Sequence, residues 1–307
     1  MINNPQKSYD EYLSHIEIYN NDKDEFLSLM KKFIVSSNAP DEYFKRLDDK
    51  YLVGYYNPSD SFQTLQNNLK NNYNQLAEYG WVKDKSVKQI EYKISTDGWR
   101  SKHFSEIQDK DIIVGIGCSI TYGTGLNQED LWIHKLADRL NCEYINCAIP
   151  AVSSFLQSLY VTEYILENFD NIKGVFLYQP PPGRLDLLTF QEIEDTDKSI
   201  TERNLCLIGM HRFITEFLES NKKPTNYELK ILLGIFYTSY FHSIQNNILL
   251  KNACKNKNTP YHFLDSSMFK ISARARDKAR DLMHDGERYH TKIANKFFKM
   301  YMINEKI

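Results

Sequence analysis

Asp111-Ile-Ile-Val-Gly115-Ile-Gly117-Cys-Ser119-Ile-Thr121-Tyr-Gly123-Thr-Gly125 is the stretch whose reading decides the fold. The apolar run Ile112-Ile113-Val114 breaks at Gly115 and Gly117 into a loop that carries Ser119, Thr121, Gly123 and Gly125. An apolar strand, a glycine break, small polar residues and then a helical pattern describe an open α/β sheet offering a reactive group at the carboxyl end of its first strand. Ser119 is accordingly read as a nucleophile. Three other readings compete with it. A nucleotide-binding glycine loop lacks its third glycine, because Ile120 stands there, and no Gly-Lys-Ser/Thr triplet follows for a P-loop. Ser119 could instead cap the next helix, as serines after strands commonly do. Cys118 could be the reactive group, although a cysteine in an apolar strand context is more often inert.

Downstream, Glu129 to Leu140 has the spacing of an amphipathic helix, with Trp132, Leu136 and Leu140 four apart. Glu143 to Pro150 reads as a strand, Phe155 to Asn168 as a helix, and Gly174 to Tyr178 as a strand stopped by Pro180-Pro-Pro-Gly183. This alternation predicts βαβ units and a parallel sheet with helices on both faces. From Leu185 to Pro224 the pattern is weaker: residues 192–199 read as a charged loop and Leu205 to Leu218 as a helix. Asn226 to Cys254 predicts a long helix with Leu229, Leu232, Leu233, Phe236, Tyr240 and Ile244 near one face. Tyr261 to Leu264 is a further strand, and Tyr289 to Tyr301 the last helix.

Upstream, residues 1–88 read as a helical preface. Phe26, Leu29, Met30, Phe33 and Ile34 form one helical stripe, and Phe62, Leu65, Leu69, Tyr73 and Leu76 a second, with a turn at Gly54-Tyr-Tyr-Asn-Pro58 between them. Residues 90–104 form a hairpin or an edge strand, with Trp99 and Arg100 beyond its Asp97-Gly98 turn.

The 307 residues, 42% hydrophobic, suffice for one large domain or one domain and a smaller one. Lys+Arg of 38 against Asp+Glu of 40 leaves a net charge of -2, which gives no overall field toward nucleic acid or an anionic membrane. The 5 cysteines, Cys118, Cys142, Cys147, Cys206 and Cys254, are scattered without CxxC spacing, against a disulfide framework or a zinc site and in keeping with a reducing compartment. The start is polar rather than signal-like, and no stretch approaches the roughly 18 apolar residues of a membrane span. A cytoplasmic location is expected, and a phage or viral product inside a host would look the same.

Near the carboxyl end, Asp281-Leu-Met-His284 lies between the last strand and the last helix. An Asp three residues before a His can fold back onto the imidazole Nδ1–H and leave Nε2 free to take a proton from a serine. His290, six residues on, does not share a face with His284 and is read as structural.

Taken together these residues resemble the SGNH, or GDSL-type, hydrolase superfamily. Gly117-Cys-Ser119-Ile-Thr121-Tyr-Gly123 is similar to its Gly-Asp-Ser-x-Thr-x-Gly block with Cys118 for Asp, and Asp281-Leu-Met-His284 to its DxxH block. Asn146-Cys-Ala-Ile-Pro-Ala151-Val-Ser resembles the second block, with Ala151 in place of the glycine whose N–H helps form the oxyanion hole. Lys93-Ile-Ser-Thr-Asp-Gly-Trp-Arg100 resembles the Asn-x-x-Gly-x-Arg lead-in of carbohydrate-esterase-like members, with Ser95 for Asn. The third block departs: Tyr178-Gln-Pro-Pro-Pro-Gly-Arg184 holds no Asn to donate to the oxyanion, and Gln179 or Arg184 is the candidate replacement.

The resemblance implies a three-layer α/β/α sandwich with a mainly parallel, flavodoxin-like sheet over residues 89–307, carrying an insertion around 185–225 and preceded by the mostly helical extension 1–88. It implies ester hydrolysis through an acyl-enzyme, with Ser119 as nucleophile, His284 as base and Asp281 as its orienting acid. The oxyanion would be held by the Ser119 and Ala151 N–H groups, aided by the amino end of the following helix. No metal or organic cofactor is required. The expected substrate is an O-acyl or acetyl ester on a carbohydrate or other small molecule, and the expected protein partner is a second copy or an assembly component on the extension. A catalytically weak or inactive binding or assembly module of the same fold is the alternative.

Overall fold

Every residue from Ile112 to Gly117 is buried, as befits a strand that is apolar or glycine throughout and covered on both faces. The computed structural model describes residues 23–180, 186–194, 201–209, 226–267 and 277–304. In chain order the elements before the central sheet are α1 (Lys23–Asn38), β1 (Phe44–Arg46), β2 (Tyr51–Gly54), α2 (Phe62–Asn71), α3 (Tyr73–Glu78), β3 (Val82–Lys83), β4 (Ser86–Val87) and β5 (Tyr92–Ser95). There follow β6 (Ile112–Gly117), α4 (Ser119–Tyr122), α5 (Trp132–Leu140), β7 (Glu143–Ala148) and α6 (Phe155–Tyr160). A π turn over Val161–Ile165 continues α6 into α7 (Leu166–Asn168). The chain closes with β8 (Ile172–Gln179), β9 (Asp186–Glu194), β10 (Thr201–Gly209), α8 (Asn226–Asn256), β11 (Tyr261–Asp265) and α9 (Glu287–Asn304).

The central sheet has four strands in the order β11-β8-β6-β7, all parallel. On one face Ile113, Tyr144 and Phe176 pack against Trp132 and Leu136 of α5 and Ile293 and Phe297 of α9. On the other, Ile112, Val114, Ile116, Val175 and Leu177 meet Met30 and Ile34 of α1, Leu156 of α6, and Leu250 and Cys254 of α8. The chain is therefore an α/β protein with helices on both faces of a parallel sheet, as the alternating pattern implies.

The structure differs from the periodicity reading in four places. The first segment contains, besides its helices, strands of two small antiparallel sheets, β1-β2-β5 and β3-β4. Because β2 pairs with β5, strand pairing crosses residue 88. Phe62 and Tyr73 are exposed, and the second helical stripe is broken at Asn72, which ends α2 and begins α3. The segment read as a helix from Leu205 is instead strand up to Gly209, paired with β9 from Asp186↔Gly209 to Glu194↔Thr201; residues 210–225 lie outside the described residues. On α8, Tyr240 and Ile244 are exposed, whereas Ser239, Asn246, Leu250 and Cys254 make the buried face. Among the described residues no helix is long and apolar enough to cross a membrane.

Two histidines are built into this core as neutral rings. His290 Nδ1 accepts the backbone N–H of Trp132, one of the orphan donors at the start of α5. Burial, with Lys135, Arg100 and His284 adding to it, pushes its pKa down to about 3. His262 stacks on Phe176 at 4.7 Å, and burial pushes its pKa down to about 4. The unfolded chain binds both protons near pH 6.5 and the native state does not, so stability is full above that pH and falls as the pH drops toward 4. Each ring is expected to cost up to about 1.4 kcal/mol per pH unit in that window. Urea midpoints measured from pH 7 to 4.5 should fall accordingly, and His262→Phe should flatten the slope.

Candidate active site

The loop that carries Ser119 starts where β6 ends. A Cβ on Gly117 would lie 2.1 Å from Thr121 Oγ1 and 3.0 Å from the Tyr178 carbonyl, so only glycine lets the chain turn here against β8. Ser119 opens α4, and its Oγ does not cap that helix: its one side-chain contact among the described residues is to Cys118 Sγ at 3.9 Å. The capping alternative is thereby removed. Since α4 is one turn of four residues, little helix dipole is available to aid an oxyanion, contrary to the expectation from the sequence.

The loop is held by donors from three elements. Asn146 of β7 donates to the Thr121 carbonyl at 2.9 Å, and Gln157 of α6 to the Gly117 carbonyl at 3.2 Å. Arg100, fully buried, donates to the carbonyls of Tyr122 at 3.0 Å, Gly123 at 2.7 Å and Leu126 at 2.6 Å.

At the other end of the chain, Asp281 and His284 form the pair their spacing suggests. Asp281 Oδ2 lies 2.5 Å from His284 Nδ1, while Oδ1 accepts the Met283 and His284 N–H groups at 3.1 and 3.0 Å. With an ionised Asp281 as acceptor, Nδ1 carries the proton and Nε2 keeps its lone pair. The Asp281 side chain is closed to solvent and that of His284 is 19% exposed, so the imidazole is the open end of the pair. Asn68 of α2 pins the loop by donating to the Asp281 carbonyl at 3.0 Å, and Trp81 Nε1 donates to the Lys278 carbonyl at 2.7 Å.

The two loops touch at Gly125, whose carbonyl accepts the Arg280 N–H at 3.0 Å. A Cβ there would fall 2.8 Å from Ala279 Cβ and 3.4 Å from Asp281 N. Among the described residues no hydrogen bond joins Ser119 to His284.

Ala151 follows β7 in the left-handed region, φ 67°. This is backbone that glycine takes without penalty. Gln179 ends β8, which pairs with β6. Its Oε1 accepts the Ser154 hydroxyl at 3.2 Å, and Ser154 in turn accepts from Asn246 Nδ2 at 3.0 Å. With Oε1 turned to Ser154, Nε2 is the end of the Gln179 amide that can donate elsewhere. Arg184, the other candidate, lies outside the described residues. Among the described residues no group of three or more His, Cys, Asp or Glu side chains could hold a metal ion.

Asn68, Asn246, Ser154 and Gln157 carry no signal in the sequence for these tasks, since each acts on a partner far along the chain. Asn68 lies in an Asn-rich helix with nothing to distinguish it from its neighbours.

Fold and site together define an α/β chain with a serine loop and an Asp-His loop in contact at the carboxyl edge of a parallel sheet. No protein-family model matches the chain, and no curated protein matches it. Among solved structures it is similar to a protein from Desulfitobacterium hafniense DCB-2 assigned to the lipolytic G-D-S-L family. The identity is 11%, the coverage 62% of this chain and 98% of that chain, and the TM-score 0.29. A likeness at that TM-score carries no argument about chemistry.

The strain at Ala151 is open to direct test. A left-handed non-glycine residue costs roughly 1–2 kcal/mol, and glycine gives back part of the gain through its freer unfolded chain. Ala151→Gly is expected to raise stability by about 0.5–1 kcal/mol in urea denaturation, whereas Ala151→Val should lower it.

Proposed function

We propose that the chain is a serine ester hydrolase. The observation that carries this reading is the Asp281–His284 pair, with the carboxylate fully engaged by the imidazole and its own loop and the loop docked on the turn that follows Ser119. His284 Nε2 takes the Ser119 Oγ proton as Oγ attacks the ester carbonyl. The tetrahedral intermediate then collapses with loss of the alcohol, which receives that proton from His284. Water, activated by the same imidazole, attacks the acyl-Ser119 ester in turn and releases the acid. Asp281 keeps the ring in the productive tautomer and stabilises the imidazolium.

The oxyanion is assigned to the Ser119 and Ala151 N–H groups and to Gln179 Nε2. The chain Asn246 to Ser154 to Gln179 supports the last assignment, because it turns the Gln179 amide in one direction. By the motif resemblance the favoured substrates are O-acyl or acetyl esters of a carbohydrate.

Wild type and Ser119→Ala are to be compared for hydrolysis of a short-chain activated ester and for labelling by a fluorophosphonate. Turnover and labelling are both expected in the wild type and neither in the variant. A folded wild type that shows neither would move the reading to a binding or assembly module. Gln179→Ala should lower kcat by about a hundred- to a thousandfold, with a much smaller change in KM.

A further inference from the structure

Arg280 directly precedes Asp281, and a guanidinium that close to a catalytic carboxylate is a competitor for it, since arginine favours two-pronged carboxylate pairing. The fold supplies another carboxylate. Arg280 Nε donates to Asp60 Oδ1 at 3.1 Å and Nη2 to Oδ2 at 2.7 Å, across 220 residues of sequence. Both side chains are closed to solvent. Nη2 also donates to the Tyr55 carbonyl at 2.8 Å, and the Tyr56 ring lies 5.3 Å from the guanidinium carbon.

The same carboxylate reaches the nucleophile side. The Tyr92 hydroxyl donates to Asp60 Oδ2 at 2.7 Å and accepts the Gly125 N–H at 2.8 Å. Gly125 is thus held through its N–H by Tyr92 and through its carbonyl by the Arg280 N–H, and both holders lead to Asp60. Burial pushes the Asp60 carboxyl up, Arg280 and Tyr92 pull it down, and the charge of Asp281 pushes it up again. The two acids therefore feel one another, and a guanidinium that cannot give up its proton stands with Asp60.

The other charged groups around this cluster are committed elsewhere. Arg100 is spent on backbone carbonyls, Asp285 is paired with Lys278 at 3.1 Å, and His290 is the neutral acceptor for Trp132.

We propose that Asp60 is a positioning residue that sequesters the Arg280 guanidinium and so reserves the Asp281 carboxylate for His284. The inference rests on the reading of Asp281 and His284 as the acid-base pair, and it gives residues 51–92 a part in that pair's chemistry.

The test follows the His284 Cε1–H resonance by NMR across pH in wild type, Asp60→Asn and Asp60→Asn/Arg280→Gln, with His284→Gln for assignment. Asp60→Asn keeps the shape and releases a cation beside Asp281, which disfavours the imidazolium. Its titration midpoint is expected to fall by about one pH unit. The double variant lacks both charges and is expected to return to the wild-type midpoint, whereas a merely structural pair would leave it as far displaced as the single variant. An unmoved midpoint in folded Asp60→Asn, or no return in the double variant, overturns the proposal.

Arg280→Lys is the milder second variant. It keeps the cation but cannot grip both Asp60 oxygens and the Tyr55 carbonyl together, and it should move the midpoint the same way by less; no movement overturns the proposal. Fluorophosphonate labelling of the same samples separates the two readings. A wild type that is not labelled but whose His284 responds as described removes the hydrolase and supports the ion-pair assignment.

Discussion

A buried guanidinium with no carboxylate partner among the described residues holds the centre of the molecule together. Arg100 faces the Tyr92 ring at 4.5 Å and gives its N–H groups to carbonyls of residues 91, 122, 123 and 126. Withdrawing a cation from water costs several kcal/mol, and the carbonyls on Nη1 and Nη2 offset it, while the buried Nε has no hydrogen-bond partner among the described residues. The turn after Ser119 must therefore present its carbonyls inward. Gly123 and Gly125, both at positive φ, make that shape possible. The constraint runs in both directions: the turn solvates the cation, and the cation fixes the turn.

The same logic explains why the segment before the central sheet cannot be treated as decoration. Asn38 Nδ2 donates to the carbonyls of Gly98 and Ala148, and the Asn38 carbonyl accepts the Tyr122 hydroxyl. Asn68 and Trp81 hold the Asp-His loop by its backbone, while Asp60 holds it by Arg280. Parallel strands alone bring the serine loop and the Asp-His loop to one edge of the sheet. Buried polar groups from residues 38–100 join Asn146 and Gln157 in setting the orientation of the loops, and they satisfy backbone atoms that would otherwise be stranded out of water.

On the opposite side, α8 contributes a polar rather than an apolar contact near the site. Asn246 donates to both Ser154 and Ser158. The helix turns Ser239, Asn246, Leu250 and Cys254 inward and leaves Tyr240, Phe241 and Ile248 outside. A helix face that mixes buried polar and apolar residues cannot be found by counting apolar residues. Through Ser154 the Asn246 amide is linked to Gln179 Oε1 at the end of β8.

The sequence by itself determined the parallel α/β pattern, the glycine break at Gly117 and the Asp281–His284 spacing. Each rests on near neighbours in the chain: a run of buried strand residues, a turn that excludes a side chain, a three-residue reach. Tertiary structure alone decided the short strands from Phe44 to Gly54, whose three or four residues are too few to show a period, and the inward face of α8. It also decided the partners of Asp60, Asn68, Tyr92 and Arg100. Those choices join groups across up to 220 residues, and their energy lies in satisfying buried charges and backbone dipoles, which leaves no periodic trace in the local sequence.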